Sequence, residues 1–456
     1  MLILKKFDLI VLGGGTAGPG VAHRAAAKKW DTALVEARYL GGTCINFGCI
    51  PSKTLIGSAQ VMQCVRDAKK YGVITEPPSV DWPTILNRKE TLVSNIRNHA
   101  YKSVQKKEHI TLYEGEASFT GPKTLEVNGE SITAEKIVIA TGARPGIPPV
   151  PGLSDVDYLT STSAMEVEEL PKSLLILGGG IIALEFSQLF ARLGVSVTII
   201  QRGDRLAENL EPEISNEIRK ILEAEGINVK TDTRIRSIGS ENGLIYAIDE
   251  AESEQRRYSA EQILVATGRD PNSDMLDLEK TDVDTDNKGY ILVDEKFKTA
   301  AEGIWAIGDI IGGMMFTHRA WHDGLLLSRH LLEGKAIRSQ DRLVPFAVFT
   351  DPEIAGVGLG EAAAAEAGYN VTTKSFPFAL HGRALAIDKL DGFVKLVLDT
   401  NSGNILGGHI IGPEAGELIH ELIAAMRFGA TVYDLQEMMH IHPTLAEAIN
   451  STALTK

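Results

Sequence analysis

Two short apolar runs in this chain end in near-identical glycine clusters, and that repetition constrains the fold more than any other feature. Phe7-Asp-Leu-Ile-Val-Leu runs into Gly13-Gly-Gly-Thr-Ala-Gly18, and Ser173-Leu-Leu-Ile-Leu runs into Gly178-Gly-Gly-Ile-Ile-Ala183. Apolar runs this short, each followed by a helix-compatible segment, read as strands buried on both faces of a parallel sheet. In the first loop Gly13, Gly15 and Gly18 have the spacing that lets backbone approach a pyrophosphate, with free N–H groups at the following helix N-terminus. Twenty-three residues after Gly13, Glu36 ends the next apolar run, where an acid can bind a ribose diol. The second loop, with Gly178, Gly180 and Ala183, repeats this plan, and the same 23-residue step leads to Gln201, followed by Arg202. A chain with two such loops is expected to hold two dinucleotides, a flavin one and a nicotinamide one.

A second repeated pair follows, Ile137-Val-Ile-Ala-Thr141-Gly142 and Ile263-Leu-Val-Ala-Thr-Gly268. Four prolines within 145–151 make a stiff connector, and Asp270-Pro-Asn marks an exit. Residues 303–309 read as another buried strand ending in a turn and rejoining the first unit. From about Val344 the texture becomes α+β, with strands at 346–350, 392–398 and 405–411 and helices at 415–428 and from 445 onward.

The chain has 456 residues with 46 Lys+Arg against 60 Asp+Glu, a net charge of −14 that argues against nucleic acid and anionic membranes as partners. The apolar start of the chain enters a glycine cluster rather than a cleavage site, so residues 1–12 read as a strand and not a signal peptide. No stretch reaches the length of a membrane helix, and a cytoplasmic location is expected.

Only three cysteines occur, and two lie close together in Gly41-Gly-Thr43-Cys44-Ile-Asn-Phe-Gly-Cys49-Ile-Pro51-Ser-Lys53. Four residues between cysteines allow a disulfide on one turn leading into a helix. A thiolate at a helix N-terminus is favoured by the dipole and by orphan N–H groups, and Lys53 adds a cation. Near the C-terminus, His442-Pro-Thr-Leu-Ala-Glu447 suggests a helix opened by Pro443 whose first turns carry Glu447. A carboxylate there can fix one imidazole nitrogen and leave the other to take a thiol proton. A metal pair at His440-x-His442 is the alternative, with no third ligand in view.

Taken together, the Gly13 loop, the Cys44–Lys53 block, both Ala-Thr-Gly segments, the Gly308-Asp309 turn and the His442–Glu447 stretch resemble the flavoprotein pyridine nucleotide-disulfide oxidoreductases over essentially the whole chain. The resemblance implies an α/β fold of two tandem Rossmann-like dinucleotide-binding domains plus a C-terminal α+β dimerisation domain. It divides the chain into an FAD-binding domain at 1–145, completed by 271–338, an NAD(P)-binding domain at 146–270 and an interface domain at 339–456. It further implies that Asp309 binds the flavin ribityl chain and that Lys53 pairs with Glu185 beside the flavin ring. Thr43, Thr141, Gly142 and Ala320 fall in further flavin-contacting stretches, and Gly268 in a nicotinamide-contacting one. By the same likeness, Cys44 and Cys49 form a redox disulfide served by the His442–Glu447 dyad of a homodimer partner.

Among family members, Thr317-His-Arg-Ala320, His381-Gly-Arg-Ala384 and 441–447 look most like dihydrolipoyl dehydrogenase, and the chain ends without the C-terminal cysteine pair common in mercuric reductase. The implied activity is oxidation of a lipoyl-bearing carrier protein or a small dithiol, with FAD and NAD(P)+ as electron carriers. A glutathione- or mercuric-reductase-like enzyme is the alternative, and a redox-silent flavin-binding assembly protein the non-enzymatic one. With Gln201 in place of an acid and Arg202 beside it, weak discrimination between NAD and NADP is expected.

Overall fold

The computed structural model describes residues 4–250 and 256–456, so the first three residues of the N-terminal run lie outside the described residues. Lys5–Leu12 is central to the first sheet, parallel to Thr32–Glu36 on one side and Glu130–Ile139 on the other. Ile110–Glu114 extends the sheet beyond Thr32–Glu36. The pair Ala117–Gly121 and Thr124–Val127 adds an antiparallel wing. Ile304–Ala306 completes the sheet by pairing in parallel with Glu130–Ile139, as the apolar run at 303–309 leads one to expect. Leu9, Ile10 and Val11 have no exposed surface, which is the two-faced burial their uninterrupted apolarity requires.

The second glycine loop lies in a sheet ordered Asn228–Lys230, Ser196–Ile200, Ser173–Leu177, Gln262–Val265, Leu159–Thr160, every pairing parallel. Beside it lies an antiparallel meander, Ile235–Glu241, Leu244–Asp249 and Arg257–Ala260. The expected proline connector begins inside structure: Ala143–Pro145 pairs antiparallel with Arg269–Pro271, so two short strands join the two nucleotide-binding units side by side. A five-stranded antiparallel sheet follows, in the order Phe346–Val348, Glu353–Gly358, Ile405–Gly412, Phe393–Asp399, Val371–Pro377. Helix Ala415–Arg427 packs on it. Among the described residues no helix is long and apolar enough to cross a membrane.

An ion cluster built on a buried Lys395–Glu211 pair, with Glu213 and Glu361 at its exposed rim, ties this last sheet to the second unit. Lys395, 3% exposed, donates to Glu211 Oε2 at 2.7 Å, Glu213 Oε1 at 2.8 Å and Glu361 Oε2 at 2.9 Å. Burial works against the lysine's charge, but the three carboxylates more than offset it and hold its pKa above the ordinary value. Glu211 immediately precedes helix Pro212–Ala224, so the cluster ties that helix to the C-terminal sheet. Lys395→Met would leave Glu211 buried without its cation, and a loss of about 3–5 kcal/mol is expected. Calorimetry should show a lower unfolding temperature for Lys395→Met and a smaller drop for Lys395→Arg.

Candidate active site

Gly13 and Gly178 turn the chain from strand to helix at φ of +111° and +102°. A β-carbon at either position would run into backbone, the Ala140 carbonyl for Gly13 and the Ala266 carbonyl for Gly178. Above the loops the space is open. Gly15 has only the Gly42 Cα at 3.9 Å, and Gly180 has no neighbour within 4 Å of where a β-carbon would stand. Gly18 packs its helix, Gly18–Ala27, directly on Gly13, and Ala183 is fully buried in helix Ile181–Arg192.

The ends of the second strands correspond position for position. Glu36 Oε2 accepts from Gly14 N at 2.7 Å, and Gln201 Oε1 accepts from Gly179 N at 2.9 Å. Arg202, next in line, is exposed. Thr141 and Gly142 are clasped by Asn272, whose Nδ2 donates to Thr141 O at 2.8 Å and whose backbone N donates to Gly142 O at 3.0 Å. Gly268 stands just before the linking strand Arg269–Pro271. At the end of the completing strand, Asp323 Oδ2 receives Gly308 N at 3.0 Å. Burial raises the Asp309 pKa, with Arg269 and Arg319 opposing. Ala320 is buried in helix Thr317–Glu333, near Gly308.

Thr43 and Cys44 lie in the short helix Gly42–Asn46, and Cys49 is the first residue of helix Cys49–Asp67. Both cysteines carry free thiols. A hydrogen bond from Cys44 lowers the Cys49 pKa against the effect of burial, helped by Thr317 and Lys53; that of the Cys44 thiol is raised by its hydrogen bond to Cys49 and by burial. Thr317 Oγ1 lies 3.2 Å from Cys49 Sγ. Further along the same helix Lys53 Nζ donates to both oxygens of Glu185, at 2.9 and 2.7 Å. Glu185 Oε1 also accepts from Phe349 N at 3.0 Å.

His442 Nδ1 is 3.0 Å from Glu447 Oε1, and Glu447 Oε2 accepts from Thr444 N at 2.8 Å. Those two contacts, the backbone one first, hold the Glu447 pKa below the usual carboxylate value. The expected helix start is corrected here: Pro443 follows His442 through a cis peptide bond, the chain then turns, and the helix runs Glu447–Leu454. The His442 side chain is 78% exposed. His440 instead turns inward to Glu421 at 2.9 Å, and no metal-binding cluster occurs among the described residues.

Residues 7–324 match the family described as pyridine nucleotide-disulphide oxidoreductase, and residues 344–453 match its dimerisation domain. The chain belongs to this family. Its similarity to a mercuric reductase of Staphylococcus aureus is 38% identity over 98% of this chain and 82% of that protein. A dihydrolipoyl dehydrogenase of Bacillus subtilis is 38% identical over 98% of both chains. The fold superposes on the HOCl-induced flavoprotein disulfide reductase RclA of Escherichia coli, solved as a Cu(II) complex, with a TM-score of 0.90, 29% identity and 99% coverage of each chain.

As a member of this family the protein is an oxidoreductase that uses FAD and NAD(P)H, and its dimerisation domain supports a homodimer. The residues present fit two dinucleotides, because both loops offer a cradle that a β-carbon at Gly15 or Gly180 would begin to fill. Three polar partners were not foreseen from sequence: Thr317 at Cys49, Asn272 at the Ala-Thr-Gly turn and Asp323 beneath Gly308. Thr317 sits in the stretch singled out for Ala320, so its neighbourhood was visible though its role was not. Because its hydroxyl supports the Cys49 thiolate, Thr317→Val should move thiolate formation to higher pH. The ultraviolet thiolate absorbance of the reduced protein, measured against Cys49→Ser, checks this.

Proposed function

We propose that the protein is a dithiol–disulfide oxidoreductase of dihydrolipoyl dehydrogenase type, acting on a lipoyl-bearing carrier protein or a small dithiol. The observation that carries this reading is the His442–Glu447 pair, an acid–base with a fixed tautomer and an exposed second nitrogen. The substrate thiolate attacks Cys44 Sγ of the Cys44–Cys49 disulfide and releases Cys49 as thiolate. The lowered pKa of Cys49 suits it to leave. The second substrate thiol then attacks the mixed disulfide, which frees Cys44 and closes the substrate disulfide. Of the two protons the dithiol loses, one is accepted by His442 and the other ends on the freed Cys44 thiol, and Glu447 holds the imidazolium that results.

A bound FAD would supply the two-electron relay between the reduced cysteine pair and the nicotinamide. For FAD the candidate residues are Gly13, Gly15, Gly18, Glu36, Thr43, Lys53, Thr141, Gly142, Asp309 and Ala320. For NAD(P) they are Gly178, Gly180, Ala183, Gln201, Arg202 and Gly268, with Glu185 positioning Lys53. This assigns FAD to 1–145 with 271–338, NAD(P) to 146–270 and the subunit interface to 339–456. Because His442 is exposed within its own chain, it is assigned to the cysteine pair of a second copy. A reducible cysteine pair also suits the cytoplasm.

A second reading, with a metal ion as the substrate reduced, draws on the equal likeness to mercuric reductase. Steady-state rates with dihydrolipoamide, glutathione disulfide and Hg²⁺, each with both nicotinamide cofactors, separate the two. Dihydrolipoamide should be the fastest substrate, and turnover confined to Hg²⁺ would reverse the choice. Cys44→Ser should abolish dihydrolipoamide turnover while Cys49 still titrates as a thiolate. His442→Gln should slow thiol–disulfide exchange roughly 10²–10⁴-fold in stopped-flow measurements, with reduction by the nicotinamide affected much less.

A further inference from the structure

The ribose-reading corner of the second loop contains an acid supplied from outside the usual strand end. Gln201 spends its oxygen on Gly179 N, as Glu36 does on Gly14 N, but its amide also presents N–H groups that Glu36 lacks. Gln201 Nε2 donates to Glu208 Oε1 at 2.8 Å. Glu208 reaches this place by lying across Gly203: a β-carbon at position 203 would fall on Glu208 Oε1. Gly203 does not adopt a positive φ, so space and not backbone conformation is what the glycine supplies here. Arg205 is tied back to the same loop, its Nη2 donating to Glu208 O at 3.0 Å, which leaves exposed Arg202 as the competing cation.

We infer that Glu208, seated over Gly203 and held by Gln201, is the carboxylate that selects the unphosphorylated nicotinamide dinucleotide. A strand-end acid discriminates by accepting hydrogen bonds from the ribose 2′-hydroxyl and repelling a 2′-phosphate. Gln201 alone supplies neither the charge nor the repulsion. With Glu208 beside it, the pair restores both, and NAD(H) is preferred over NADP(H) more sharply than residues 201 and 202 suggest in isolation. The inference rests on the second loop holding the nicotinamide dinucleotide, as proposed above.

The test is a binding measurement that needs no turnover. Isothermal titration of the FAD-loaded protein with ADP-ribose and with 2′-phospho-ADP-ribose should show ADP-ribose binding at least ~10-fold more tightly. Glu208→Gln keeps an acceptor for Gln201 but removes the charge. Gly203→Ala keeps the charge but displaces the carboxylate. Each should bring the two affinities within ~3-fold of one another, with flavin content and unfolding temperature unchanged as the check on folding. Equal affinities in the unmodified protein, or a preference that persists in both variants, would overturn the inference. Failure of both ligands to bind would overturn the assignment of the second loop itself, and the inference with it.

Discussion

Glu185 is a buried carboxylate reached from two directions, and the relative placement of three parts of the chain depends on it. Lys53 approaches from the cysteine helix and Phe349 N from the segment just after Phe346–Val348, while Glu185 itself belongs to the helix of the second glycine loop. A carboxylate so enclosed is costly without partners, and removing one from a buried pair typically costs ~3–5 kcal/mol. Lys53 also lies over the Phe349 ring, 4.8 Å from its centre, so both ends of the same contact are pinned. With the second turn of the cysteine helix fixed in this way, its first residue, Cys49, meets Thr317 from a helix far along the chain. The place of the Cys49 thiol is therefore set in part by the Lys53–Glu185 ion pair.

The two glycine loops show how one backbone solution accommodates different side-chain demands. Glu36 and Gln201 make the same bond to their loops, so the geometry survives the change from acid to amide. What changes is the remaining valence. Glu36 Oε1 accepts from Arg38 N close by, whereas the Gln201 amide must donate and so draws in an acceptor from further along the chain.

Features built from neighbouring residues were legible in the sequence. The strand–glycine–helix units, the Cys44–Lys53 block and the His442–Glu447 pair each occupy a single short stretch, so the side chains that meet in space are already close in sequence. The Lys395 cluster was not legible, because its carboxylates come from 211, 213 and 361 and nothing local marks Lys395 as buried. The antiparallel meander at 235–260 was missed for a similar reason: its strands are partly polar on one face and lack the uninterrupted apolar runs that announce a parallel sheet. Pro443 misled in a different way. Proline suits a helix start, but here it follows a cis bond and the helix waits until Glu447.

The first sheet is closed by a strand that the ribosome delivers late. Ile137–Ile139 lies against Ile304–Ala306, and Ile304 and Ala306 have no exposed surface. Until residue 306 has emerged, that stretch of Glu130–Ile139 presents an apolar, unpaired edge. The whole second sheet is translated in the interval, at a pace of roughly 5–20 residues per second. The first unit must therefore wait one strand short of its sheet while the second is translated, and the nascent chain is open to mispairing for many seconds before its own sequence covers the gap.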